Sequence, residues 1–590
     1  MSKWMIAAKR AEFKEIAEKY GIDQVMARLL RNRDVVGDEA IRDWLYGDLK
    51  DLHDPHRMKG MEEAAARIRE SVMRGDRIRI IGDYDVDGIC ATLILYRGLK
   101  AIGAQDVDYV LPDRVRDGYG MNVTLVRQAA DDGVQMILTC DNGIRAIEEI
   151  AAAKDLGMRV VVTDHHEPKR DSEGKDILPD ADALVDPART DETYPFRRIC
   201  GAVVAYKFLQ VLFEGGEPEG AQELFRELIV FAAFATNCDV MPLVDENRII
   251  MKEGLRNLTF SDNLGLTELI RACGLMPSEI RAMDFGFTLG PCLNATGRLD
   301  SAHRAMNLLT AADRESASVL AGDLIALNEE RKGLTATAVT KACEIYDTQG
   351  YDRDPVIVIY LPDCHESIAG IVAGKVRERY GKPAIILTDA AEEGVAKGSG
   401  RSVPGYDLYR GLSEYEPLFM RFGGHEQAAG LTLKKDNIDA LRKGLNDSCP
   451  LSPEDAEQVL HIDMEMPLSY ATLDLVRQFS VLEPFGKGNP EPLFAARDVT
   501  IVSGKIIGKN HNFGKYVIAD ESGRKYDMIY FDGLERFHEF LRDRYGADGV
   551  NDIYDGFRPK SRYTMHMAYH VQINSYRGTE SLQFRMKDFL

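Results

Sequence analysis

The apolar run Ile78-Arg79-Ile80-Ile81-Gly82 leads directly into Asp83-Tyr84-Asp85-Val86-Asp87-Gly88. Carboxylates at every second position beyond a strand end aim hard oxygen ligands at one point, which is costly unless cations neutralise them. An EF-hand loop also opens D-x-D-x-D-G. It needs a bidentate Glu at its twelfth position, here Ile94, and it follows a helix rather than a strand. Two further runs end in the same chemistry: MILTC in Asp141-Asn142-Gly143, and RVVVT in Asp164-His165-His166. Mixed Asp and His ligation suits Mn²⁺, and Mg²⁺ fits the oxygen-rich half. The acids suffice for two metals about 3.5–4 Å apart, a pair that activates water and stabilises the leaving oxygen of a phosphoester.

Such a centre needs a scaffold that delivers several strand ends to one edge. IRIIG (78–82), VDYVL (107–111), MILTC (136–140) and RVVVTD (159–164) alternate with predicted helices at 88–101, 122–132 and 144–155. Continuous β-branched runs separated by helices predict a parallel sheet covered on both faces, with ligands at the strand C-termini. The fold class expected is multidomain α/β. It comprises a helical segment (1–75), a doubly wound parallel-sheet domain (76–285), a long helical connector (286–345), a smaller α/β domain (346–455) and a C-terminal β-barrel of OB type (456–590). The connector reading rests on 300–345, which lacks Gly–Pro punctuation and keeps a helical apolar period. The smaller domain ends at the turn-rich NDSCPLSPED.

At 590 residues the chain exceeds a single core, and 45% hydrophobic with 29% charged residues excludes global disorder. The 95 acidic against 74 basic residues give a formal charge of −21, which argues against a wholly basic nucleic-acid binder but leaves a local basic groove open. Nine scattered cysteines without a CxxC support neither a zinc ribbon nor a disulfide framework. The charged N-terminus is unlike a signal peptide, and the longest apolar stretch, Leu228 to Ala235, is far too short to span a bilayer. The expectation is a cytoplasmic protein with reduced thiols and no membrane contact.

Taken together, the Asp83–Gly88, Asp141-Asn142-Gly143 and Asp164-His165-His166 motifs resemble the successive signatures of the DHH phosphoesterase superfamily. Cys200–Ala205 and Asp239–Leu243 are similar to the rest of its catalytic domain. Pro291–Leu299 and Asn328-Glu329-Glu330-Arg331-Lys332 resemble the RecJ branch. Gly398–Ser402, with Phe422-Gly423-Gly424-His425 and Ala428-Ala429-Gly430, look like the DHH-associated domain. Glu483–Gly486, Gly488-Asn489-Pro490 and residues 574–578 look like the RecJ OB-fold. The resemblance runs in order from about residue 75 to the end.

It implies a single-strand-specific 5′→3′ DNA exonuclease that releases 5′-mononucleotides in recombination and repair, using two Mn²⁺ or Mg²⁺ ions. By position, Asp87, Asp141, His165 and Asp239 would hold one ion, and Asp83, Asp85 and the bridging Asp141 the other. His166 would touch the scissile phosphate and Asp164 would orient its neighbours. Arg114, Arg298, Ser399 and Arg401 would form a 5′-phosphate pocket, since Arg forks match phosphate oxygens; Asn294, His365 and His425 are further substrate candidates. Tyr119, alone beside glycines, reads more as a core residue than as a base-stacking one. Cys292 and Asp186 stand where the family usually has Arg and Asn.

The same resemblance implies a monomer, with a single-strand-binding protein and a helicase as possible partners. No further domain is evident after the barrel, so partner contacts are expected to be reduced. The barrel motifs argue against a shorter oligoribonuclease or cyclic-dinucleotide hydrolase, and the intact ligand set argues against an inactive scaffold. The acidic total then implies a narrow basic track through an acidic shell, fed by Arg114, Arg298, Arg401, Lys487, Lys505 and Lys509.

Overall fold

Five parallel strands form the first large sheet. In space they run Val107–Val110, Ile78–Ile81, Met136–Cys140, Arg159–Thr163 and Ala183–Val185. In chain order that is 2-1-3-4-5, so the winding reverses between the first and third strands. In open α/β sheets ligands bind at this switch point. Ile78, Ile80, Met136, Leu138, Val160 and Val162 are fully buried. Each such side chain contributes about 1.5–3 kcal/mol relative to exposure, which is why these runs read as continuous apolar blocks.

The computed structural model describes residues 3–452, 459–508, 511–531, 533–554, 563–576 and 578–590. Lys509, Arg577 and residues 453–455 of the turn-rich segment lie outside them. The chain divides into two compact units: Asp48–Ala456, and Met1–Gly47 together with Glu457–Leu590.

The first unit holds this parallel sheet, the connector and a second sheet. The connector helix runs Arg314–Thr348, begun by Asp313, whose side chain accepts from the Ser316 N–H at 2.8 Å. Its buried residues Ala317, Ala321, Leu324, Asn328, Thr335, Ala338 and Ala342 follow a 4-3-4 spacing, a narrow apolar stripe. The sequence period made 300–345 one helix; the structure breaks it, with a separate helix at His303–Leu309. The second sheet is mixed and runs Phe419–His425, Ala428–Lys434, Val395–Arg401, Ala384–Asp389 and Ile357–Tyr360. Only the last two strands are parallel to each other.

In the other unit, strands Phe494–Ile507, Phe513–Ala519, Lys525–Tyr530, Thr579–Phe589 and Tyr563–Tyr576 pair in sequence. The last closes back on the first, which makes a five-stranded barrel. The chain's opening was read as wholly helical. Lys3–Ile6 is instead a strand, parallel to Val459–Ile462. A four-residue strand is supported by a partner distant in sequence, so local composition does not reveal it. Helices Leu534–Tyr545 and Ala547–Tyr554, set between barrel strands, were likewise not anticipated. Among the described residues no helix is long and apolar enough to cross a membrane.

Candidate metal centre and phosphate pocket

The Ile78–Ile81 strand passes through Gly82 into a loop that Asp85 turns into a helix. Its carboxylate accepts from the Asp87 and Gly88 N–H groups at 3.0 and 3.1 Å and so caps Val86–Ala101. Asp87 is fixed by a different helix: its two oxygens accept from Gly201 N–H and Ala202 N–H, each at 2.7 Å. The N-terminus of Gly201–Phe213 thus fixes the direction of this carboxylate. Gly88 and Gly201 permit these approaches. A Cβ on the first would lie 2.5 Å from the Asp83 backbone, and on the second 2.7 Å from the Asp141 Cβ. Asp141 itself sits at φ 61°, a left-handed conformation that costs a non-glycine residue about 1 kcal/mol or more.

These constraints bring the predicted ligands together. Donor atoms of Asp87, His165 and Asp239 lie within 4.8 Å of one another, and so do those of Asp83, Asp85 and Asp141. Asp141, His165 and His166 make a third such group. His165 Nε2 faces three carboxylates, at 3.0 Å from Asp141, 3.5 Å from Asp87 and 3.8 Å from Asp239. Burial, reinforced by the neighbouring carboxylates, pushes Asp141 well above the usual carboxylate range. Burial and Asp85 do the same to Asp83. Burial also lowers His165, so this imidazole does not neutralise them. The buried Asp141 Oδ1 and His165 Nε2 have no hydrogen-bond partner among the described residues. A dense, buried set of oxygen and imidazole donors with unpartnered atoms fits divalent cations of the Mn²⁺ or Mg²⁺ type.

Asp164 is spent on positioning. One oxygen accepts from the His165 N–H, the His166 N–H and His166 Nδ1, and the other from the Ile144 N–H. Burial opposes its charge, yet the two histidines hold it below the usual range. In return, and against burial, Asp164 lifts His166 to about 9.

Three arginines converge beside this centre. Arg298 donates to the Ser367 carbonyl at 2.8 Å, and Arg401 to Ser399 Oγ at 2.9 Å. Arg114 stacks over Tyr84 at 4.8 Å. Burial first, then Arg114 and Arg331, lower Arg298 to about 10; burial with Arg114 and Arg377 lowers Arg401. Arg298 also feels the Asp85 charge, but the repulsion from Arg114 and Arg331 outweighs it, and the mutually repelling guanidinium groups form an anion pocket.

Family profiles match three stretches: the DHH family N-terminal domain over 77–236, the DHHA1 domain over 353–449 and the RecJ OB domain over 462–588. The chain belongs to the RecJ family. It is 35% identical over 577 residues to the single-stranded-DNA-specific exonuclease RecJ of Bacillus subtilis strain 168, covering 98% of this chain and 69% of that protein. Its RecJ counterpart in Haemophilus influenzae is 30% identical, with 91% of each chain covered. The crystal structure of RecJ in complex with Mn²⁺ from Thermus thermophilus matches with a TM-score of 0.81 at 26% identity, over 100% of this chain and 79% of that one.

Within this RecJ-family site, not every candidate faces the pocket. Asn294 Oδ1 accepts from the Val86 N–H at 3.2 Å, so it braces the catalytic loop. His365 is exposed and caps its own short turn through Ser367. His425 lies in register with Ala428, which pairs with Arg401, and so shares a sheet row with the pocket. Asp186 accepts from the Ala188 N–H, and Cys292 is enclosed by Thr288 and Asn328.

Tyr119 corrects the reading of it as core. Half exposed, its hydroxyl donates to the Asp141 carbonyl at 2.7 Å and lies 3.1 Å from His166 Nε2. Gly118 and Gly120, at φ 82° and 63°, make the turn that places it. In the same turn the Gly120 N–H donates to Asp83 Oδ1. The glycine pair around a tyrosine was the available signal.

Proposed function

We propose that the chain is a metal-dependent exodeoxyribonuclease that degrades single-stranded DNA from the 5′ end, releases 5′-mononucleotides and acts in recombination and repair. The observation that carries this reading is the meeting, in one unit, of a carboxylate–imidazole centre and an arginine pocket. A centre alone would cut a phosphodiester anywhere; an anion pocket beside it selects a chain end carrying a phosphate.

Two Mn²⁺ or Mg²⁺ ions are the cofactors: Asp87, Asp141, His165 and Asp239 would hold one, and Asp83, Asp85 and Asp141 the other. When bound, such a pair supplies the positive charge that activates water and stabilises the leaving 3′-oxygen. The protein's own groups do the rest. His166, kept protonated by Asp164, donates a hydrogen bond to the scissile phosphate, and Tyr119 limits the swing of its ring. Arg114, Arg298, Arg401 and Ser399 fix the terminal phosphate so that the next phosphodiester falls at the centre. The enzyme works in the cytoplasm as a monomer, beside a single-strand-binding protein and a helicase that would supply its substrate.

The test incubates the protein with Mn²⁺ and 3′-labelled single-stranded DNA, with and without a 5′-phosphate. Shortening from the 5′ end, favoured by the phosphate and abolished in Asp141→Ala, is expected. No shortening, or an unaltered Asp141→Ala variant, would overturn the reading. Preference for short RNA or cyclic dinucleotides would place the chain with other phosphodiesterases.

A further inference from the structure

The sheet face that carries Ser399 and Arg401 continues beyond them. Side chains alternate along a strand, so Lys397, Ser399 and Arg401 of Val395–Arg401 share one face. Strand pairing extends that face into three rows: Lys397–Thr432–Arg421, Ser399–Gly430–Gly423 and Arg401–Ala428–His425. A Cβ on Gly423 or Gly430 would meet nothing within 4 Å, so the middle row is an open floor between two cationic rows.

Above it lies a cavity of about 630 Å³ lined by Lys397, Arg421, Gly423, Gly430 and Thr432, and by Arg114 from the catalytic domain. Glu366 also lines it and pairs with Lys397 at 2.9 Å. Neither Arg421 nor Arg114 has a carboxylate partner among the described residues, so the cavity keeps a net positive charge. Two residues along a strand span roughly 6.7 Å. A ligand bound at Ser399 and Arg401 that also reaches Lys397 and Arg421 must therefore carry negative charge over about that length.

We propose that the Lys397–Thr432–Arg421 row is a second anion subsite, which takes the further phosphoryl groups of a 5′-diphosphorylated or 5′-triphosphorylated end. The proposal rests on the terminal-phosphate role of Ser399 and Arg401 given above. Arg421 supplies the fork, Thr432 a hydroxyl donor, and Lys397 a charge that exchanges Glu366 for phosphate.

The test measures fluorescence anisotropy of single-stranded oligonucleotides with a 5′-hydroxyl, 5′-monophosphate or 5′-triphosphate, bound to the full chain in EDTA. The monophosphate should bind tighter than the hydroxyl, and the triphosphate about ten-fold tighter again at low salt. In the Lys397→Ala/Arg421→Ala double variant the second step should fall below about two-fold while the first persists. Inorganic tripolyphosphate should displace the monophosphorylated oligonucleotide better than pyrophosphate does in the wild type only. Equal affinity for mono- and triphosphate, or a second step that survives the double variant, overturns the subsite. Loss of the first step in the wild type overturns the terminal-phosphate reading instead.

Discussion

His165 Nε2 stands 3.0 Å from Asp141 Oδ1, and both atoms are buried without a hydrogen-bond partner among the described residues. Asp141 also feels the charges of Asp83, Asp85, Asp87 and Asp239. Without cations this arrangement opposes folding, and with them it favours folding, because a ligand bound only by the native state stabilises it. Mn²⁺ should therefore raise the melting temperature, and EDTA should reverse the rise. Asp141→Asn removes one repelling charge, so the metal-free variant should melt on the order of a few degrees above the metal-free wild type, while its response to Mn²⁺ collapses. Scanning calorimetry checks both. A variant that melts lower than the wild type in EDTA would contradict this account.

Asp164 uses its lone pairs on four donors, three of them from the His165–His166 segment. In Asp164→Asn an amide NH₂ must face an N–H donor, and the anion that supports His166 is lost. Leaving buried donors unpaired costs about 2–4 kcal/mol in urea unfolding, and mis-set histidines cost about 10–100-fold in turnover. His166 should also titrate nearer its ordinary value, which NMR of the imidazole reads directly. Full stability with reduced turnover would show that Asp164 is not the brace described.

The strand ends were legible because each catalytic strand is buried on both faces. Its apolar run stops where the carboxylates begin, as at Ile81 before Gly82 and Asp83. Arg298 and Arg401, about a hundred residues apart, could be joined only through the family resemblance, since no periodicity links the connector region to the second sheet. Tyr119 was misread because its partners, the Asp141 carbonyl and His166, lie on two other strand ends. The Lys3–Ile6 strand was hidden for the same reason: its partner, Val459–Ile462, is more than 450 residues away. Lys397 and Arg421 became visible as a pair only through register, both being opposite Thr432.

Gly201 begins the helix that grips Asp87, and a Cβ there would press 2.7 Å from the Asp141 Cβ and 2.9 Å from its Cα. Neither Asp141 atom is the end of a flexible chain, so the backbone must yield. Gly201→Ala should displace Asp141 and cost about 1–3 kcal/mol through overpacking. The melting-temperature gain from Mn²⁺ should shrink with it. The control is Gly215→Ala, at φ 77° with nothing within 4 Å of its Cβ, which adds backbone strain remote from the centre and should leave the Mn²⁺ gain intact. An undiminished Mn²⁺ gain in Gly201→Ala would disprove the packing argument.

His53 anchors the start of the catalytic unit through Nε2, 2.7 Å from Asp245 Oδ1. The Asp245 hydrogen bond raises the imidazole above its ordinary range despite burial, while burial opposes the Asp245 charge and His53 outweighs it, lowering that carboxylate. The raised histidine contributes stability fully below its unfolded value of roughly 6.5, and loses it as pH rises through the folded value. The depressed aspartate contributes above its unfolded value of roughly 3.9, and loses it as pH falls through the folded one. The pair is thus whole between about pH 4 and 6.5 and fades toward alkaline pH. Lys207 and Glu246 also face His53, and Tyr194 meets its ring edge-on. His53→Ala should therefore destabilise more at pH 6 than at pH 9. Solvent reaches the pair, with side chains 25% and 43% exposed, so the difference is at most about 1 kcal/mol. Urea unfolding at the two pH values measures it, and Asp245→Asn should erase it. An equal or larger loss at pH 9 would mean that His53 acts through packing against Tyr194 rather than through its charge.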